Sequence, residues 1–420
     1  MPASGSPGIA SGTVKIISAA SEISKIKQGD ILVTQMTNPD FVPAMRRASA
    51  IVTDRGGATS HAAIVSRELG IPAVVGTDMA TKMLKNGEVI TVNGFQGKIY
   101  AGDYAKELKS AEVDRDYSEY RSVKTATKLY VNLGEPDQAK KIAQMGVDGV
   151  GLLRAEFMIA EIGKHPKKFI EEGKGSQFTD ALVKGLEVFV REFDPRPVIY
   201  RATDFKTNEY RSLKGGDKYE GEENNPLIGY RGVSRYLIDQ EVFRLEIEAI
   251  KKIRNELGYK NLHLMLPFVR TVEELIEVKK LLSKFGLTRK GSFELYLMVE
   301  IPSCVLMLDD FIKEGIDGIS IGSNDLTMLT LGIDRDNEKI AHIYDERNPA
   351  VLWLLEKAIK TAKANNIKSS ICGQAPTTYP ELAEKLVKWG ISSISVSADT
   401  AYLTRKIITE AEIEVIKKKK

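Results

Sequence analysis

Apolar and polar positions change rhythm twice along the chain. Over residues 1–102 short apolar runs recur at 13–17, 30–34, 50–53, 73–75, 88–92 and 98–101. Turn residues such as Gly29-Asp30, Asn86-Gly87 and Asn93-Gly94 separate several of them. Two stretches, 39–47 and 60–69, carry apolar residues at helical spacing instead, and Gly70 and Pro72 stop the second. This pattern predicts a small β/α sandwich. Residues 103–127 are dense in charge and poor in large aliphatics, which predicts a helical, solvated linker.

From Lys128 onward strand and helix patterns alternate. Strands are predicted at 129–133, 147–153, 198–202, 262–267, 295–300, 318–322, 369–372 and 391–396, with amphipathic helices between most of them, as at 135–145, 272–285 and 381–389. Eight such units predict a (β/α)8 TIM barrel over 128–420, with an open doubly wound sheet as the alternative. Chemistry in such a barrel sits where the strands end. Arg154, Arg201, Glu300, Ser323-Asn324-Asp325 and Cys372 all fall at predicted strand C-termini. Two guanidinium groups suit a carboxylate or phosphate. Two carboxylates suit Mg²⁺, which fills the rest of its shell with substrate oxygens and water. The rim therefore fits a small, doubly anionic, metal-chelating ligand, and the residues alone go no further than that class.

Composition narrows the setting. Sixty basic residues against 57 acidic ones give a net charge of +3, and with it no electrostatic reason to expect nucleic acid. No apolar run approaches the ~18 residues of a membrane span, and no leader pattern opens the chain. The two cysteines, Cys304 and Cys372, have neither metal-ligand spacing nor the numbers for a disulfide framework. The expectation is a cytoplasmic protein without a membrane partner.

The stretch Asp54-Arg55-Gly56-Gly57-Ala58-Thr59-Ser60-His61 carries the most specific chemistry. Two glycines make a tight turn into a helix whose first turn holds His61. Free N–H groups and the positive dipole end there favour an anion and disfavour imidazolium, so a neutral, nucleophilic ring is expected. Residues 54–76 resemble the phosphohistidine signature of the PEP-utilising enzymes. The stretches 149–157 (Gly-Val-Gly-Leu-Leu-Arg-Ala-Glu-Phe), 300–303 (Glu-Ile-Pro-Ser), 320–327 (Ser-Ile-Gly-Ser-Asn-Asp-Leu-Thr) with Asp334-Arg335, and 371–374 (Ile-Cys-Gly-Gln) resemble the PEP-binding barrel of that family. Residues 200–210 and 223–232 look most like its phosphoenolpyruvate synthase branch.

The resemblance implies a swivelling phosphohistidine domain at 1–102, a linker at 103–127 that serves as hinge, and a PEP/pyruvate-binding barrel at 128–420. It implies that His61 is phosphorylated and that Cys372, as thiolate in the synthesis direction, exchanges a proton with the three-carbon end of the substrate. Arg154, Arg201 and Arg231 would hold phosphoryl and carboxylate groups. Glu300 and Asp325 would bind Mg²⁺, and Gly322, Ser323 and Asn324 would line the substrate. Arg335 would support the loop, and Thr59 would be a possible regulatory phosphorylation site. The implied partners are pyruvate and PEP, a second copy of the chain through the barrel, and an ATP-binding domain or subunit. The chain begins almost at once on Gly5-Ser-Pro-Gly-Ile-Ala-Ser-Gly12 and has no Gly-rich P-loop, so ATP chemistry is expected to come from a separate or missing part. A non-catalytic scaffold and a protein-to-protein phosphocarrier are the competing readings. Cys304, His165, His263 and His342 lie in no motif and are expected to be structural.

Overall fold

Strand pairing divides the chain into an open sheet and a closed barrel. The computed structural model describes residues 3–57, 60–111, 118–334, 337, 339–373 and 375–417. They form two compact units that part near residue 117.

The first unit is built on seven strands: β1 (Ala3–Ser6), β2 (Ile9–Ile16), β3 (Ile31–Thr34), β4 (Ala50–Thr53), β5 (Ala73–Val75), β6 (Val89–Asn93) and β7 (Lys98–Ala101). Their order is β1-β5-β4-β3-β2-β6-β7. Strands β2 to β5 are mutually parallel, and antiparallel strands flank them on both sides. Every residue of β3, β4 and β5 is buried, which is why these segments read as unbroken apolar runs. Val14, Ile31, Val33, Val52, Val74 and Val92 form part of the core. Strand β1 has no counterpart in the sequence prediction. Its Ala-Ser-Gly-Ser sequence lacks strand formers, and it exists only as an edge paired to β5. The helix expected at 39–47 is a 3₁₀ turn, Pro39–Phe41, and a single helical turn, Val42–Met45.

Two helical pieces of the charged 103–127 segment are among the described residues. The helix Ala105–Ala111 falls in the first unit, and the 3₁₀ turn Ser118–Ser122 falls in the second. The C-terminal helix Ala401–Lys417 holds residues 125–127. Arg405, 2% exposed, donates to Thr125 Oγ1 at 2.8 Å and pairs with Asp148 at 2.8 Å, while Glu412 accepts the N–H groups of Ala126 and Thr127 at 3.1 and 2.7 Å.

The second unit is a closed barrel of eight parallel strands: β8 (Lys128–Leu133), β9 (Gly149–Arg154), β10 (Val198–Arg201), β11 (Leu262–Leu266), β12 (Leu295–Val299), β13 (Gly318–Ile321), β14 (Lys368–Cys372) and β15 (Ser393–Val396). The period-2 alternation of a strand divides their side chains between two cores. Leu152, Ile199, Met265, Tyr296, Met298 and Cys372 fill the interior. Leu264, Leu266, Leu297, Val299, Ile319, Ile371 and Ile394 belong to the larger cluster that includes the helices. Among the described residues no helix is long and apolar enough to cross a membrane.

Candidate functional site

In the first unit the parallel strands converge on one edge. Their C-terminal ends release Thr37 after β3, Asp54 after β4 and Thr77 after β5, the edge where open parallel sheets present ligand sites. Asp54 is buried and accepts from Thr81 N at 3.0 Å, from Thr77 Oγ1 at 3.3 Å and from the Thr81 hydroxyl. This ties down the start of the glycine turn. Ser60 is the N-cap of the helix His61–Leu69, and Gly70, left-handed at φ 67°, closes it. His61 is half-buried, and its Nδ1 lies 2.8 Å from Thr37 Oγ1. That contact fixes the plane of the ring. Thr59 lies outside the described residues.

In the second unit the strand ends form one rim. Arg154 closes β9 and Arg201 closes β10, and the two are register partners in the ladder. Arg201 binds Glu156 at 2.8 Å and approaches Asp204 at 3.6 Å. Glu156 Oε1 also accepts the Asp204 N–H at 2.7 Å. Arg231 is buried and grips Asp204 with two donors, Nε to Oδ1 at 2.9 Å and Nη2 to Oδ2. Its Nη2 also reaches Asp325 at 3.0 Å. The expectation of Arg231 as a ligand-facing guanidinium therefore meets a group already clasped by two carboxylates. Arg335 lies outside the described residues.

Glu300 follows β12 and is 2% exposed. Its Oε1 accepts the Phe268 N–H at 2.6 Å. Burial first, and then the charges of Asp204 and Asp325, push its carboxyl up to about 8, against the pull of Arg231 and Arg201. Gly322 follows β13 and passes so close that a Cβ there would stand 3.0 Å from Glu300 Oε2. Ser323, Asn324 and Asp325 open the helix Ser323–Leu331. Asn324 Oδ1 accepts from Tyr344 at 3.3 Å, and the buried Ser323 hydroxyl makes no hydrogen bond among the described residues. Cys372 ends β14 with its Sγ 3.7 Å from the Ile321 carbonyl. Burial raises its thiol above the ordinary value. The Ser320 hydroxyl, Arg154 and Arg201 pull it down, and Glu300 pushes it up.

The rim collects four carboxylates, Glu156, Asp204, Glu300 and Asp325, around Arg154, Arg201 and Arg231. Burial first, and the neighbouring carboxylates second, hold the Glu300 carboxyl up at about 8 despite the arginines beside it. Arg201 Nε and Glu156 Oε2 are also buried without hydrogen-bond partners among the described residues. No cluster of three or more His, Cys, Asp or Glu residues suited to a metal occurs among the described residues. Glu300 and Asp325, the two carboxylates assigned to Mg²⁺ from the sequence, are hard oxygen donors of the kind that ion takes.

The histidines expected to be structural make none of these contacts, and Cys304 is buried with its thiol on the Val269 carbonyl. His165 binds Glu220 at 3.0 Å, and Arg235 clasps the same carboxylate. Burial lowers His263 to about 4 and raises the Cys304 thiol to about 12. His342 sits in a short exposed turn. The sequence reading missed Asp204, Glu156, Phe268 and Thr37. The first two sit inside the quoted motifs, three residues after Arg201 and two after Arg154, so the motif itself carried their signal. Phe268 and Thr37 had none beyond lying just past a strand.

Residues 109–413 match the family model described as the PEP-binding domain of PEP-utilising enzymes, and residues 26–97 match its mobile domain. Phosphoenolpyruvate synthase of Aeropyrum pernix is 49% identical over 427 residues, covering 98% of this chain and 52% of that protein. The Pyrococcus furiosus phosphoenolpyruvate synthase is 49% identical over 412 residues, 97% of this chain and 50% of the relative. The Helicobacter pylori phosphoenolpyruvate synthase is 42% identical over 434 residues, 97% and 53%. The chain spans about half the length of these curated relatives.

Proposed function

The chain belongs to the PEP-utilising enzymes, and on that footing we propose that it moves a phosphoryl group between His61 and the pyruvate–phosphoenolpyruvate pair. The observation that carries this reading is the single barrel rim on which Arg154, Arg201, Arg231, Glu300, Asp325 and Cys372 meet. Arg154 and Arg201 receive the carboxylate and phosphoryl oxygens, and Arg231 joins them as ligand oxygens compete for its place beside Asp325. Ser323 offers its unpaired hydroxyl to the same ligand, and Asn324 its amide. Mg²⁺ at Glu300 and Asp325 would neutralise charge on the enolate oxygen when bound.

In the direction away from PEP, His61 visits the rim and attacks phosphorus. The bond from phosphorus to the enol oxygen breaks, and Cys372 delivers its proton to the methylene carbon, giving pyruvate. The raised thiol suits that donation. In the reverse direction Cys372 must first lose its proton, with the Arg154 and Arg201 charges easing the loss. Positioning and charge neutralisation supply most of the rate in such a transfer. The other exchange of His61 we assign to an ATP-binding domain or subunit, and the functional assembly to a homodimer through the barrel.

Incubation of the chain with ³²P-labelled PEP and Mg²⁺ tests the reading. Acid-labile label on the wild-type chain, absent from His61→Ala, is expected. An unlabelled wild-type chain with magnesium bound contradicts it.

A further inference from the structure

We propose that Phe268 is a positioning residue that sets Arg231 and Glu300 in one arrangement for the substrate, an inference that rests on the function proposed above. Phe268 lies two residues past β11 and is 2% exposed. Its φ is +49°, a left-handed conformation that bulky side chains rarely adopt. Such backbone persists only where its surroundings impose it, and it gathers at functional sites.

Here it aims two different parts of one residue at two parts of the rim. The N–H donates to Glu300 Oε1 at 2.6 Å. The ring lies against the Arg231 guanidinium, 4.0 Å from ring centroid to Cζ, and Arg270 stands 4.7 Å from the same centroid. Two cations beside one ring use its negative face, which an aliphatic side chain of equal bulk lacks. Arg270 in turn grips the strand-to-helix loop that carries Arg231, donating to Gly229 O at 2.6 Å and Ser234 Oγ at 2.7 Å. Gly232, also left-handed, closes the loop over Phe268, and a Cβ there would sit 2.5 Å from the Phe268 Cβ. The aromatic ring and the strained backbone therefore act together: one holds the anion-binding guanidinium, the other orients the buried carboxylate.

The experiment measures PEP binding to the full chain by titration calorimetry, first in a metal chelator and then with Mg²⁺, beside the unfolding midpoint of each variant. Chelator removes the contribution of a cation at Glu300 and leaves the guanidinium groups to read. Phe268→Leu keeps apolar bulk and loses the π face. It is expected to raise the metal-free dissociation constant about tenfold, the scale of a desolvated cation–π contact. Phe268→Tyr keeps the ring and is expected to stay within about twofold of wild type. Should Phe268→Leu fail to fold, Phe268→Met carries the same expectation. A dissociation constant for the aliphatic variant within about twofold of wild type, with only its unfolding midpoint lowered, overturns the proposal, since packing alone then explains Phe268. Equal weakening by Tyr and Leu overturns it as well. Failure of the wild-type chain to bind PEP at all would instead remove the functional reading and this inference with it.

Discussion

Glu300 makes a stability prediction that can be worked from its surroundings. Its carboxyl is raised from 4.5 to about 8 by burial and by Asp204 and Asp325. Between those values the folded chain keeps the proton and the unfolded chain does not, so stability falls as pH rises from about 4.5 to about 8. At about 1.4 kcal/mol per pH unit, the loss has a ceiling on the order of 5 kcal/mol. Glu246, raised to about 7 by burial, adds loss of the same sign over the lower part of that window. Glu300→Gln carries a neutral group of the same shape and isolates the first contribution. Both tryptophans, Trp353 and Trp389, lie in the barrel, so urea unfolding followed by their fluorescence reads this unit. The variant is expected to match wild type near pH 5 and to exceed it by several kcal/mol near pH 8.5, where Mg²⁺ should narrow the gap by stabilising wild type alone. A variant no more stable than wild type at pH 8.5 would refute the reasoning that burial and the neighbouring carboxylates penalise the Glu300 carboxylate.

Three further outcomes follow from the geometry. Cys372→Ala should slow the exchange of pyruvate methyl protons with solvent, followed by proton NMR in deuterium oxide, by on the order of 10²–10⁴, the range for a positioned acid–base group. Thr37→Val removes the 2.8 Å contact to His61 Nδ1 and should slow labelling of the histidine about tenfold in rapid-quench assays, with the amount of label at completion unchanged. His165→Leu removes one of the two donors on Glu220 Oε1, Arg235 keeping the other, and should cost about 1 kcal/mol in denaturant unfolding, with no change in His61 labelling at saturating PEP.

Much of the barrel was legible because its chemistry coincides with its periodicity. Unbroken apolar runs alternate with amphipathic helices, and the polar residues that end those runs are the ones on the rim. The doubly wound alternative fails because β8 and β15 pair and close the sheet. What escaped the sequence depends on distance. Asp204 clasps Arg231 across 27 residues, and Glu156 reaches Asp204 across 48, so neither pairing leaves a local pattern. The left-handed backbone of Phe268 is invisible because no glycine or asparagine announces it. Strand β1 escaped for another reason: an edge ladder can hold a sequence with no strand preference.

The most direct test of the account is whether phosphate placed on His61 returns to pyruvate. The chain is phosphorylated with PEP, freed of small molecules and mixed with pyruvate and Mg²⁺ while ³¹P NMR follows the phosphorus. The account predicts that the phosphohistidine signal is replaced by that of PEP, and that Arg201→Ala slows the exchange severely. Phosphohistidine that only hydrolyses to inorganic phosphate, at the same rate with pyruvate and without it, would contradict the central claim.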